Sequence, residues 1–305
     1  LKKASAEIAK ALQNIQVEVI YEAEIHENAA SIAEAPFAHL HNHSQFSVLQ
    51  STINIKDLVK AAAKDGMTAV ALTDHANMMG AFHFVKEITA HNKKVSEENI
   101  ALIEQGETPE QNEIKPIIGC EFYVCEDHTN KNVKDYGYQI VLLAKNKNGY
   151  LNLCKMSSIA YTDGFYYDPR IDKNIIEQYK EDVIALTGNL YGEVPNMILN
   201  VGEKQAEEAL LWWKSQFGDD LYVEVMRHGQ EDEDRVNQAL IPLAKKHSVK
   251  LVATNNTYYC EQKDAEAHDI LLCVKDGDKQ STPIGRVRGY RYGLPNQEYF
   301  FNSSE

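Results

Sequence analysis

The sequence has no C-x-x-C pair, no apolar run of membrane length and too few basic residues to balance its acids. Each shortage excludes something. The five cysteines (Cys120, Cys125, Cys154, Cys260 and Cys273) are odd in number and scattered, which argues against a secreted disulfide framework. They fit a reducing compartment, and the expected localisation is cytoplasmic. A membrane helix needs about 18 consecutive apolar residues, and none occur. No secretory leader is visible, because the first 15 residues alternate charge and alanine. Thirty-one Lys and Arg stand against 45 Asp and Glu, a net charge of −14. So acidic a body is a poor non-specific binder of nucleic acid by itself. No internal repeat is evident.

What is present is ordinary globular material. Hydrophobic residues make up 44% and charged residues 25%, which excludes a disordered, collagenous or coiled-coil chain. At about 150 residues per domain, 305 residues allow one large domain or two small ones. The chain begins at Leu1 and stops in a polar Asn-Ser-Ser-Glu, which reads as a piece of a longer protein.

Residues 1–36 stand apart. Ile8, Leu12 and Ile15 have helical spacing, and VEVIYEAEI alternates like an edge strand. They are expected to form an N-terminal extension, with residues 37–305 as the main domain. From Phe37 onward, apolar β-rich runs occur at 37–44, 68–75, 115–124, 138–145, 182–189, 221–228 and 249–256. Most are separated by helical patterns; one has Ile55, Leu58, Val59 and Ala62 on one face. Alternating strands and helices predict parallel βαβ units. Seven runs suit a (βα)7 TIM-like barrel, with an open doubly wound sheet as the alternative. The stretch 95–114 reads as a helix and surface loop inserted before the third strand.

Several runs end in titratable residues, and in βα barrels the C-terminal strand ends build the site. The first run carries His39, His41 and His43, which in a regular strand share a face. Three imidazoles at period two are hard to explain as packing, since each ring needs a partner. Metal or phosphate chemistry, present or ancestral, is the reading. The second run ends in Asp74-His75, a pairing able to supply a ligand and its orienting carboxylate. Glu121 sits inside an apolar strand, where a carboxylate is costly unless paired.

HLHNHSQFSVL, ALTDHANMMGA, PIIGCEFYV, IVLLAKN, DGFYYDPRID, IALTGNLYGEVP, LVATNNTYY and DAEAHDILLC run in this order through the chain. Together they resemble the PHP (polymerase and histidinol phosphatase) domain of bacterial DNA polymerase III alpha subunits, over nearly all the chain from Phe37 onward. The resemblance implies a distorted (βα)7 barrel. In active members a cluster of metal ions hydrolyses phosphoesters, in some as a 3′ exonuclease. It also implies a parent polymerase with magnesium-dependent domains beyond this chain, toward which the last ~20 residues would lead. DNA would then be met through that parent, and a proofreading exonuclease subunit is an implied partner. No membrane partner is implied.

Carried over by motif, the family's ligand positions fall on His41, His43, His75 and Glu121, all retained. The other five fall on Gln50, Gln139, Asn189, Asn256 and Tyr258, where carboxylate, imidazole or thiolate has become amide or phenol. Such groups are weak ligands for zinc or manganese, yet all five can hydrogen-bond. The expectation is a degenerate metal site with a structural and subunit-interaction role, no required cofactor and no catalytic residue. The ancestral pocket would comprise His39, His41, His43, Asp74, His75 and Glu121. The alternative is a phosphoesterase or 3′ exonuclease with one zinc or manganese ion at low occupancy on His41, His43 and Glu121. A free-standing sugar-phosphate phosphatase is a third reading.

Other features are weaker. Arg286, Arg288 and Arg291 alternate with Tyr290 and Tyr292, a pattern able to track nucleic acid or dock a neighbouring domain. Residues 163–172 read as a packed loop. Of Trp212 and Trp213, one is expected in the core and the other at a surface.

Overall fold

The computed structural model describes residues 37–109, 111–285 and 289–303. The predicted extension at 1–36 lies outside them. The described residues form two compact units. The flanking unit comprises Phe37–Gly119 and Asn255–Asn302, and the central unit Cys120–Thr254 with Ser303.

In the flanking unit, helix α1 (Ile55–Lys64) starts where the Asn54 side chain accepts the Lys56 N–H. It buries Ile55, Leu58, Val59 and Ala62, the stripe its spacing predicts. Strand β1 (Ala69–Leu72) follows, then a 24-residue helix α2 (Ala81–Glu104). The inserted helix expected after residue 95 is therefore the second half of one continuous helix. Strand β2 (Lys115–Cys125) enters parallel to β1, with Ala69 opposite Lys115 and Leu72 opposite Ile118. The core joins Ile53, Leu58, Val70, Leu72, Phe84 and Ile88 to Phe301. After Asn255 the chain supplies Tyr258, Tyr259 and Tyr299, which pack together, and helix α8 (Ala265–Asp276), which ends at Gly277 in the left-handed region.

The central unit holds β3 (Tyr138–Ala144), α3 (Lys147–Thr162), β4 (Arg170–Asp172), α4 (Lys173–Tyr179) and β5 (Val183–Leu186). Helices α5 (Glu193–Asn200) and α6 (Glu203–Phe217) come next, then β6 (Leu221–Val225), α7 (Glu231–Lys246) and β7 (Lys250–Ala253). Strands β5, β6 and β7 are parallel neighbours. Helix α7 has four acidic residues in its first turn and Lys245 and Lys246 in its last, matching its dipole. Trp213 is buried and donates to Glu193, while Trp212 lies under the Lys173 ammonium.

Besides the run at 37–44, which forms no regular strand, two details differ from the sequence reading. Strand β3 pairs with β5 antiparallel, with Val141 opposite Leu186. And part of the loop expected at 163–172 is strand β4, parallel to the end of β2. Both departures have one cause: an apolar run buried on both faces does not reveal its direction, and three residues are too few to show a period.

Candidate functional site

The histidine run, expected as the first strand, is not a regular strand: Asn42 forms an isolated bridge to Thr257, and single backbone hydrogen bonds tie the run to β1 in an irregular, bulge-like register. His39 O accepts from Ala71 N at 2.8 Å, and Asn42 O from Thr73 N at 2.9 Å. Three residues thus answer two on β1, so one is extra. The Asn42 amide supplies the bond a regular ladder would take from the backbone, donating to Ala71 O at 3.0 Å. Beyond the bulge, His43 N donates to Thr257 O and Thr257 N to His41 O.

The bulge corrects the expectation that three imidazoles share a face. His39 turns into the apolar core, 4.0 Å from the Phe301 ring and 4.9 Å from Phe37, and its Nε2 meets Asn302 O at 2.8 Å. Burial pushes its pKa down to about 4. His41 and His43 stay together, with ring centroids 5.2 Å apart and both fully buried.

His43 stacks on two further rings, His75 at 4.2 Å and Tyr258 at 4.4 Å. The Tyr258 hydroxyl lies 3.2 Å from His75 Nε2. The phenol thus engages a ring nitrogen of His75. His43 Nδ1 faces Thr257 O at 3.2 Å.

Asp74 is held rather than free. Its carboxylate accepts from Ser44 N at 2.6 Å, Ser44 Oγ at 2.8 Å and Ser47 Oγ at 2.7 Å. Ser47 Oγ in turn accepts from His75 N at 3.1 Å. Burial raises the Asp74 pKa, against the pull of these donors. Gly80 permits this closeness, because a Cβ there would lie 2.8 Å from Asp74 Oδ2. Gln50 gives its backbone carbonyl to His268 Nε2 at 2.7 Å. Burial lowers the His268 pKa. At Asn256 the amide oxygen is buried with no hydrogen-bond partner among the described residues.

The central unit carries the remaining positions. Glu121 is fully buried on β2, and Asn189 Nδ2 donates to its Oε1 at 3.2 Å. The Asn189 oxygen accepts from Tyr191 N at 2.8 Å. Gln139 bonds through its backbone to Tyr191 O at 3.0 Å.

Of the basic run, Arg286 and Arg288 lie outside the described residues. Arg291 is buried in the flanking unit, where its guanidinium forks onto the two Asp269 oxygens at 2.6 and 2.8 Å. Sequence reasoning missed the supporting residues Ser44, Ser47, Ser51 and Thr257. The two serines three apart after the histidine run were the signal for the Asp74 cradle. It also missed a second group in the central unit, Asp127, His128 and Asp172, in which His128 Nδ1 meets Asp172 Oδ2 at 2.5 Å.

Buried imidazoles and carboxylates thus lie in and just beyond the strands of an α/β chain. The PHP domain family matches residues 39–228. The chain belongs to that family. It is similar to DNA polymerase III subunit alpha of Borreliella burgdorferi, 38% identical over 275 residues, covering 88% of this chain and 21% of that protein. It is also similar to DNA polymerase III subunit alpha of Treponema pallidum, 36% identical over 279 residues, covering 90% of this chain and 22% of that protein. The chain thus spans about a fifth of the length of these relatives. A solved amidohydrolase from Chromobacterium violaceum covers 72% of this chain and 87% of its own at 11% identity and a TM-score of 0.45, a likeness too slight to bear on function. Among the described residues no helix is long and apolar enough to cross a membrane.

Proposed function

We propose that this chain serves as the PHP domain of a replicative DNA polymerase III alpha subunit and that its own metal site is retired. One observation carries the reading. In each unit a residue at a lost ligand position hydrogen-bonds a retained one: Tyr258 with His75, and Asn189 with Glu121. Each bond occupies a donor that catalytic metals would need. Water activation for phosphodiester attack relies on charge-rich ligation, and neutral amides and a phenol do not supply it. The domain then acts by packing and contact. It braces polymerase domains elsewhere in the parent and offers a surface to a proofreading exonuclease subunit. DNA and magnesium belong to the parent's polymerase chemistry.

The alternative is a single residual zinc or manganese ion at low occupancy on His41, His43 and Glu121, a group whose donor types suit such an ion. Elemental analysis of the purified chain, alongside a phosphodiesterase assay with added manganese and zinc, decides between the readings. The retired site predicts far less than one metal per chain, no turnover, and a melting temperature unmoved by chelator. Two or more metals per chain with turnover abolished by His43→Ala would overturn it. Restoring Gln50→Asp, Gln139→His, Asn189→Cys, Asn256→Asp and Tyr258→His together should raise metal uptake above the parent's. Uptake no better than the parent's would count against the ligand register.

A further inference from the structure

One part of the central unit is built more rigidly than any role above requires. Arg170 is fully buried, yet its guanidinium faces no carboxylate in a hydrogen bond among the described residues. It donates instead to four backbone carbonyls: Gly164 at 3.2 Å, Asp135 at 2.9 Å, Asn130 at 3.0 Å and His128 at 3.4 Å. These lie on two surface loops, 126–137 and 163–169. The guanidinium also stands 5.5 Å from the Tyr166 ring. Gly164 closes the joint, since a Cβ there would meet Arg170 O at 1.8 Å.

The two pinned loops present aromatic rings to solvent. Tyr136 is 51% exposed, Phe165 51% and Tyr167 60%. Tyr167 holds a left-handed backbone (φ 65°), rare for a bulky residue and tolerated only where the surroundings fix it. Lys134 lies across both loops, its ammonium 4.8 Å from the Tyr136 ring and 4.4 Å from the Tyr167 ring. These faces therefore already accept a cation. The loops carry five carboxylates (Glu126, Asp127, Asp135, Asp163 and Asp168) against Lys131 and Lys134.

We propose that Tyr136, Phe165 and Tyr167, fixed by Arg170, form a preorganised docking surface for a protein segment rich in arginine and aromatic or apolar residues. Exposed tyrosines on a rigid support are the anchors that dominate interfaces. The acidic rim selects a cationic partner and disfavours a phosphate backbone. This surface rests on the interaction role inferred above and gives it a location. Metal content and turnover test that role separately, so the two can fail independently.

The test uses the full 305-residue chain and a dodecapeptide of four Arg-Gly-Tyr repeats. A Glu-Gly-Tyr dodecamer and a twelve-nucleotide oligo-dT strand serve as controls. The expected result is saturable binding of the arginine peptide, with neither control binding comparably. The Tyr136→Ala/Tyr167→Gly double variant should weaken binding about tenfold or more, because it removes two anchors without changing charge. The Tyr136 and Tyr167 ring resonances of the unmodified chain should shift on titration while buried Tyr259 does not, a readout independent of any variant. Binding unchanged in the double variant, absence of saturation, or oligo-dT binding tighter than the peptide would each overturn the proposal.

Discussion

In the flanking unit the side chain set against a buried titratable group is an aromatic ring. Tyr258 stacks on His43 at 4.4 Å and places its hydroxyl 3.2 Å from His75 Nε2. In the central unit it is a short amide, with Asn189 donating to Glu121 at 3.2 Å and accepting from Tyr191 N. The difference follows the retained neighbour. A carboxylate only accepts, so it needs an N–H, and an amide supplies one without charge. An imidazole nitrogen donates or accepts according to tautomer, and a hydroxyl answers either state. Each unit thus sets beside its buried titratable group a residue type that suits it. The flanking unit gains apolar ring burial as well, and the central unit gains only polar satisfaction.

That contrast sets the size of the effects. Tyr258→Ala should be the most damaging, costing about 3–5 kcal/mol, because it removes a buried ring from the His43 stack and leaves a cavity. Urea unfolding measures it. A loss below about 1 kcal/mol would show that the ring stack is loose packing and erase the distinction between the units.

Acid should also separate them. His39, in the flanking unit, has a folded pKa of about 4 against 6.5 when exposed. The folded state therefore resists protonation that the unfolded state accepts. Stability is intact above about pH 6.5 and falls as the pH drops toward 4, by about 3 kcal/mol at most at ~1.4 kcal/mol per pH unit. His39→Gln keeps a donor for Asn302 O and removes the titration. Its stability should be flatter between pH 6.5 and 4 than the parent's, and an unchanged slope would place the acid sensitivity elsewhere.

Asn189→Leu is the central unit's counterpart. It leaves the buried Glu121 carboxylate short of a donor, a loss of about 1–3 kcal/mol. Asn189→Asp should cost more than Asn189→Leu, since it sets a second carboxylate against the first. If Asn189→Asp were the milder change, a cation would be bound there and the retired-site reading would fail in this unit.

How much of this the sequence declared depends on the kind of contact. The α1 stripe was legible because burial on one helix face imposes a period, and Ile55, Leu58, Val59 and Ala62 obey it. The buried imidazoles and carboxylates were singled out because their chemistry is written in residue type. The orientation of His39 was not, because one extra residue at the bulge reverses the facing of everything before it, and that residue is revealed only by its partner strand. The Asp74 cradle was hidden similarly: Ser44 and Ser47 are ordinary loop residues until folding brings Asp74 to them. Arg170 looked like part of a loop because its four acceptors are backbone carbonyls, which no residue type announces.

Tyr258→Phe gives the smallest effect and the finest distinction. It keeps the stacked ring and deletes only the hydroxyl facing His75, so the expected loss is about 1 kcal/mol, the net worth of one hydrogen bond. Set against Tyr258→Ala, it divides the flanking unit's closure into ring packing and polar satisfaction. The ring is then expected to carry most of the total, whereas the central unit's Asn189–Glu121 contact is a hydrogen bond without a ring stack. A Tyr258→Phe loss as large as that of Tyr258→Ala would mean the hydroxyl, not the stack, holds His75 in place. The two units would then be closed by the same means. Without the hydroxyl, the His75 ring should also take up added zinc more readily, and proton NMR of the ring with and without zinc reads it.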